Sequence, residues 1–448
     1  MEILTTIISF LVALIVLVTV HEFGHFLVAR LCGVKVLRFS VGFGNRLFSW
    51  YDKRGTEFAL SSIPLGGYVK MLDEREMEVD PEERHLSFNV QHPWKKIAIA
   101  AAGPIANIVL AIAFFWVVFF FRGDWSVAPI VGELEENSIA AKAGLVQGQE
   151  IVAIDGVPTP NRIDVYTALF KRIGESGDIV FTVKYPDSNL EYDSDARINR
   201  WLYGDRNPDV LGGLGLKLPN PPAGRKIAAV EKGSAAEKAG FIKDDLVLEV
   251  DGVAVKNGDD WTKYVRAHPE QKMEVLVERA GSSQWLELIP SSKTNDKGES
   301  FGFAGVKLPY PENLVRHKEY GVIEGLFAAS KEVVHTVDLV FLSIKKLLSG
   351  ELSVNNLSGP PGIAKVAADS AKAGIWAFFG FLATLSVYLG ILNLLPVPVL
   401  DGGHIVFSLI EWVKGGPVPE KIQLWGVQAG MAMLLCLVVV ASFYDIFG

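Results

Sequence analysis

The stretch ILTTIISFLVALIVLVTVHEFGHF, Ile3 to Phe26, decides how this chain must fold. From Ile3 to Val20 it runs eighteen residues without a charge. At about 1.5 Å per residue that is close to the ~30 Å of bilayer hydrocarbon a spanning helix must cross. A cleaved secretory leader would need a positive start and a small-residue cleavage site; Met1-Glu2 brings no positive charge, and His21-Glu22 stands where the site would be. The segment therefore reads as a retained span with two histidines and a glutamate at its far end.

Working outward, three further uncharged stretches follow, from Ala98 to Phe121, Trp376 to Leu400 and Leu424 to Phe443. Four spans account for a composition that is 50% hydrophobic yet 21% charged over 448 residues, because the apolar residues are segregated rather than spread. A net charge of −8 offers no basic stripe to neutralise phosphates, which excludes a nucleic-acid partner. The two cysteines, Cys32 and Cys436, lie in or beside apolar segments and form no disulfide framework.

Between the first two spans, residues 30 to 96 hold eleven Lys and Arg, against none before Ile3, so the positive-inside bias places that loop in the cytoplasm. Both termini and the long region between spans two and three are then expected outside. Spans one and three run parallel, each with its C-terminal end toward the cytoplasm.

Within the outer region, Ser138-Ile-Ala-Ala-Lys-Ala-Gly-Leu145 matches Ser234-Ala-Ala-Glu-Lys-Ala-Gly-Phe241, and Ala153-Ile-Asp-Gly-Val157 matches Glu249-Val-Asp-Gly-Val253, all at an offset of 96 residues. Each copy reads as a strand, a short Ser-capped helix ended by Gly144 or Gly240, an apolar strand and an Asp-Gly hairpin. The pair resembles PDZ domains, in the circularly permuted form of bacterial envelope proteases. That resemblance implies peptide loops at Gly212, Gly213, Leu214 and Gly215 and at Gly302, Phe303 and Gly305, where peptide C-termini would be held by backbone N–H groups. Spacer modules that only exclude large molecules are the alternative.

The chemistry resides in His21-Glu22-Phe23-Gly24-His25. Residues i and i+4 share one helix face, so both imidazoles can hold zinc with Glu22 beside it. Zinc brings bound water toward neutral pKa, and a neighbouring carboxylate can take its proton. By composition alone an H-E-x-x-H is expected in roughly 1% of such chains. Ionisable residues this deep in a span are costly unless liganded, which marks the motif as functional. A third ligand is required. Asp401 closes the apolar run of the third span at nearly the same depth, after the helix-interrupting Pro396 and Pro398, and His404 competes for the role.

HEFGH at 21–25 together with NLLPVPVLDG at 393–402 resembles the site-2 protease family of intramembrane zinc metalloproteases. The resemblance implies one zinc ion per chain on His21, His25 and Asp401, Glu22 as general base, and substrate contacts at Asn393, at Gly42, Phe43 and Gly44, and at Gly66, Gly67 and Tyr68. The last two groups would form a re-entrant β-hairpin and an edge strand that pairs with an unwound substrate; by pattern alone they equally suit a hairpin on the membrane surface. Asn393 equally suits a helix cap.

The expected fold is a polytopic α-helical membrane protein with four transmembrane helices, a membrane-associated β-hairpin region and two circularly permuted PDZ domains (α+β, small β-barrel). In order, spans and modules fall at 1–30, a cytoplasmic loop at 31–97, 98–121, PDZ domains at 126–221 and 222–308, a linker with an amphipathic membrane-surface helix at 309–375, a third span at 376–402 and a fourth at 424–446. Packing beneath a PDZ domain is the alternative for the amphipathic helix. The expected activity is endoproteolysis within the bilayer of single-span proteins already cut outside, of the anti-sigma-factor type, with signal-peptide remnants as further substrates, at a bacterial inner membrane with the PDZ domains periplasmic and the site near the cytoplasmic side. The rivals are a PDZ-based scaffold or chaperone with an inert zinc site, and a transporter relaying a cation; the latter would show repeat symmetry among its spans.

Overall fold

The computed structural model describes residues 2–185, 188, 190–219, 223–294, 298–310 and 314–447, without the side chains of Glu2 and Leu65. In chain order, helix α1 (Glu2–Leu31) is followed by strands β1 (Val36–Tyr51) and β2 (Glu57–Met71), helix α2 (Pro93–Arg122) and strand β3 (Asp124–Val127). A first repeat module comprises α3 (Ile139–Lys142), β4 (Glu150–Ile154), β5 (Val157–Pro158), α4 (Arg162–Lys171), β6 (Gly177–Lys184) and β7 (Glu191–Ile198). A second comprises β8 (Ala229–Val230), α5 (Ala235–Lys238), β9 (Leu246–Val250), β10 (Val253–Ala254), α6 (Gly258–Ala267), β11 (Met273–Arg279), β12 (Ser282–Leu288), β13 (Ser291–Thr294), β14 (Ser300–Phe303) and β15 (Val306–Lys307). The chain ends through β16 (Val315–Lys318), α7 (Val322–Leu348), α8 (Pro360–Ala373), α9 (Ile375–Asn393), α10 (Asp401–Lys414) and α11 (Glu420–Phe447). The expected boundary between the outer modules, at Pro221 and Pro222, lies outside the described residues. Two units result: Met1–Asp124 with Leu202–Pro208 and Lys318–Gly448, and Trp125–Trp201 with Asp209–His317.

In the first unit, α1, α2, α9 and α11 are long and apolar enough to cross a membrane. The third differs from expectation. The uncharged run through Leu400 is helical only to Asn393, a length of 19 residues or about 28 Å. Pro396 and Pro398 cannot continue it, and Asp401 opens a new helix instead of closing the old one. Gly402 and Gly403 make the join possible, since a Cβ at either would stand 2.2–2.4 Å from carbonyl oxygens of Leu395 and Val397 in the folded-back proline loop. Lys96 Nζ grips both carboxylate oxygens of Glu411 at 2.8 and 2.9 Å, tying α10 to the start of α2.

The amphipathic helix α7 is also corrected. Rather than lying only on a membrane surface, it packs Ala329, Val333 and Val340 against Ala111 and Phe115 of α2 and Ala383 and Val387 of α9. Its apolar residues number more than one face can use, and Ile323, Phe327 and Leu348 stay exposed. Helix α8, not foreseen, begins at the proline pair: prolines suit the first turn because they lack the N–H that a helix start leaves unpaired. The N–H groups of Gly359 and Gly362 that remain are taken by Asp445 of α11, at 2.7 and 2.9 Å.

The β1–β2 pair is more than a hairpin. Phe39, Ser40 and Val41 pair with Val69, Tyr68 and Gly67 on one side and with Phe58, Ala59 and Leu60 on the other, while the tip residues Phe48 to Tyr51 pair with Leu60 to Glu57. Both strands bend, at Gly42-Phe43-Gly44 and near Gly66, so the segment 67–71 becomes an outer edge. Gly42 and Gly44 have φ of +90° and +86°, a region that disfavours side-chain-bearing residues.

In the second unit the modules share one sheet order, β5-β4-β6-β7 and β10-β9-β11-β12. Their Asp-Gly turns have positive φ at both positions (Asp155 50°, Gly156 74°; Asp251 45°, Gly252 80°), as a type I′ hairpin requires. Ser138 and Ser234 cap α3 and α5 by accepting from the N–H groups of Ala141 and Glu237.

Candidate active site

His21 and His25 project from the last third of α1 toward α2, whose Gly103 faces them. The Nε2 atoms of the two histidines are 3.2 Å apart; His21 Nε2 lies 3.1 Å from Asp401 Oδ2 and His25 Nε2 lies 3.4 Å from Asp401 Oδ1. Three ligands each 2.0–2.1 Å from a tetrahedral zinc ion stand about 3.3 Å from one another, so the donor set fits zinc in kind and in spacing. His25 Nδ1 is 2.7 Å from the carbonyl oxygen of Ile99. A carbonyl can only accept, so the proton is on Nδ1 and the Nε2 lone pair faces the cluster. The common space is kept open by Gly103, where a Cβ would lie 2.3 Å from His25 Nε2 and 2.8 Å from His21 Nε2. Among the described residues these three form the group able to hold a metal ion; His404 stands outside it.

Glu22, half-buried, lines the same cavity of about 750 Å³ as the two histidines and Asp401. The backbone of Val69 in the 67–71 edge hydrogen-bonds to its carboxylate. Tyr68 and residues 69–71 form one wall, and Asn393 and residues 399–401 another. Asn393 does two things: it lines the cavity and its Nδ2 donates to the Leu389 carbonyl at 3.0 Å, holding the last turn of α9. Gly67 lies against Glu22, whose Cγ would be 3.1 Å from any Cβ there. Gly66 admits the ring of Phe43, which stacks on Tyr68 with centroids 6.2 Å apart. Gly42, Phe43 and Gly44 shape the bend of β1 and do not line the cavity.

In the second unit, Gly212 to Leu214 form a single 3-10 turn with Leu214 fully buried, and Trp201 Nε1 donates to the Gly213 carbonyl at 3.2 Å. Gly302 and Phe303, expected in a loop, belong to strand β14, which pairs with β13. Beside them, α6 and residues 301–306 enclose a cavity of about 380 Å³. Gly215 (φ +68°) and Gly305 (φ +82°) are equivalent: a Cβ on each would meet the Cβ of the capping Ser138 or Ser234 at 2.3 Å.

Sequence reasoning missed Gly103 and Asn107. The readable signal is the polar Asn107 inside the uncharged stretch Ala98 to Phe121 of α2, four residues after Gly103 and hence on its face.

The sequence pattern of peptidase family M50 matches residues 9–437. A protein named Protease RseP from Yersinia pestis is 40% identical over 448 residues, 99% of each chain. The Regulator of sigma-E protease RseP of Escherichia coli K12 is 41% identical over 440 residues, 98% of this chain and 97% of its own. The Regulator of sigma E protease of Haemophilus influenzae is 38% identical over 444 residues, again 98% and 97%. Among solved structures, the PDZ domain of an SdrC-like protein from Listeria monocytogenes aligns with 20% of this chain and 92% of its own at 16% identity and a TM-score of 0.17.

Proposed function

The chain belongs to peptidase family M50 and is a zinc metalloprotease of regulated intramembrane proteolysis, and from that premise we propose which residues do the work and on what. His21, His25 and Asp401 hold one zinc ion, and Glu22 is the general base. The observation that carries this reading is the convergence of two Nε2 atoms and one carboxylate at 3.1–3.4 Å, with Glu22 on the wall of the same cavity.

When bound, zinc supplies polarisation of the scissile carbonyl and a water acidic enough to deprotonate near neutral pH. Glu22 takes the proton from the attacking water and returns it to the departing amide nitrogen. His25 is held for its part by the Ile99 carbonyl, which fixes ring and tautomer.

The substrate is a membrane protein, and the protease is a multi-pass inner-membrane protein. We assign it single-span substrates shortened beforehand on the outer side, of the anti-sigma-factor type, with signal-peptide remnants as further candidates. A helical substrate shields its amides by its own hydrogen bonds, so cleavage needs local unwinding. The 67–71 edge, paired with β1 on one side and lining the cavity, with no second strand on it among the described residues, suits strand addition to the unwound segment. The outer modules are read as circularly permuted PDZ domains on the periplasmic side, both termini being periplasmic too. They admit substrates by size or by a new C-terminus.

The test is reconstitution with a single-span substrate, comparing wild type, Glu22→Gln and Asp401→Asn. Cleavage lost in both variants supports the assignment; equal cleavage by all three, or cleavage indifferent to zinc removal, overturns it in favour of a scaffold with an inert metal site.

A further inference from the structure

Asn107 is fully buried on α2, one turn beyond Gly103 and on the same face. Its Nδ2 lies 3.1 Å from Nδ1 of His21, on the side of the ring away from Asp401, and its Oδ1 is buried without a hydrogen-bond partner among the described residues. A ring that binds metal through Nε2 must carry its proton on Nδ1, and a buried Nδ1–H needs an acceptor. For His25 that acceptor is the Ile99 carbonyl. For His21 the group within reach is the Asn107 amide. The nitrogen and oxygen of an amide are nearly the same size, so the side chain fits its slot turned either way. With Nδ2 toward the ring, the His21 proton sits on Nε2, facing Asp401, and ligation is blocked. With Oδ1 toward the ring, the amide accepts the Nδ1–H and the Nε2 lone pair is free.

We infer that Asn107 is the positioning residue for His21: its amide oxygen accepts the Nδ1–H of the imidazole and so fixes the tautomer and ring orientation that bind zinc. The inference rests on the zinc assignment above. The turn carrying Asn107 is itself pinned, because Ser386 Oγ of α9 donates to the Asn107 carbonyl at 2.8 Å. The two histidines are thus held from behind by two different means, a backbone carbonyl for His25 and a side-chain amide for His21. Only the second can be removed by substitution.

The experiment measures zinc affinity of the detergent-solubilised full chain by competition with a chromophoric chelator, for wild type, Asn107→Leu, Asn107→Asp and His25→Ala. Leu keeps the bulk and removes the acceptor; Asp keeps an acceptor of the same shape. The expected result is zinc binding about 10–100-fold weaker in Asn107→Leu and wild-type or tighter binding in Asn107→Asp. A purely packing role reverses that order, since leucine suits an apolar slot better than a buried carboxylate. Wild-type affinity in Asn107→Leu, or Asn107→Asp falling to the level of the leucine variant, overturns the inference. Should the leucine variant not fold, Asn107→Ala is read in the same way. Wild type that holds no zinc, or His25→Ala that holds it equally well, puts the fault in the zinc assignment instead.

Discussion

Two aspartates, half-buried Asp401 in the membrane unit and fully buried Asp245 in the second repeat module, sit in opposite electrical situations. Asp245 receives two hydrogen bonds from Arg279, both at 2.7 Å, and one from the Ile242 N–H at 2.9 Å. Its charge is fully answered by the protein, and the carboxylate acts as a strut between β11 and the start of β9. Among the described residues Asp401 meets two imidazoles, at 3.1 and 3.4 Å, neither of which needs to be charged. A buried cluster whose needs are met holds the fold together, whereas one whose donors all converge on a shared point is completed by something brought in from outside. The same contrast separates Lys96–Glu411, a satisfied pair between α2 and α10, from the histidines one and two turns further along α2's face.

The contrast breaks most readily at the membrane site. Asp401→Asn removes a ligand charge and should abolish zinc retention, measured as metal content after purification, and with it cleavage. Glu22→Gln should lower the cleavage rate by about 10²–10⁴-fold with zinc content unchanged, because it removes proton transfer and no ligand. If metal is lost as well, Glu22 is part of the ligand set. Gly103→Ala puts a methyl group at the shared point between both Nε2 atoms, so chelator competition should show zinc affinity down about tenfold or more.

At Asp245 the expected effects are on stability. Asp245→Ala leaves Arg279 without its partner and should destabilise the second module by about 3 kcal/mol, seen as faster hydrogen exchange in β9 and β11, while cleavage of a short substrate is kept. Burial alone would raise the Asp245 carboxyl, but the Arg279 guanidinium and the Ile242 N–H hold it below the usual carboxylate range. A folded-state value below the unfolded one stabilises the module above the ordinary carboxylate range and gives up that stability as pH falls through the folded value. Acid unfolding of the second module should therefore be steeper in wild type than in Asp245→Asn. The smallest effect distinguishes the modules from each other least: Ser138→Ala and Ser234→Ala each remove one cap and should cost about 1 kcal/mol in their own module. Unequal losses would mean that Gly215 and Gly305, packed on those serines, are not equivalent.

Legibility followed the range of the physics involved. The four long apolar helices and the 96-residue repeat were readable because hydropathy and turn chemistry are local. The type I′ turns at Asp155-Gly156 and Asp251-Gly252 fell where Asp-Gly placed them. Less readable was whatever depends on one element meeting another. The third span ends at Asn393 because the proline loop folds onto Gly402 and Gly403. The amphipathic stripe of α7 is buried by α2 and α9, and hydropathy periodicity records a stripe without recording its partner. Phe301 to Phe303 carry the glycine pattern of a loop, yet pairing with Ser291 to Lys293 makes them a strand.

At the site the division is similar. His21 and His25 share a face because a helix repeats every 3.6 residues, a fact of covalent geometry that any reading of the chain recovers. That Asp401 rather than His404 completes the cluster depends on how α10 leaves the proline loop. That Gly103 clears the shared space and Asn107 meets the back of His21 depends on α2 crossing α1 at Gly24, where a Cβ would lie 2.3 Å from the Ala102 carbonyl. Sequence alone nominated His21, Glu22, His25 and Asp401, with His404 as a competitor, and set them in or beside long apolar segments. Tertiary structure decided which of them meet, because distances between helices are set by the side chains at their crossing, which no local pattern encodes.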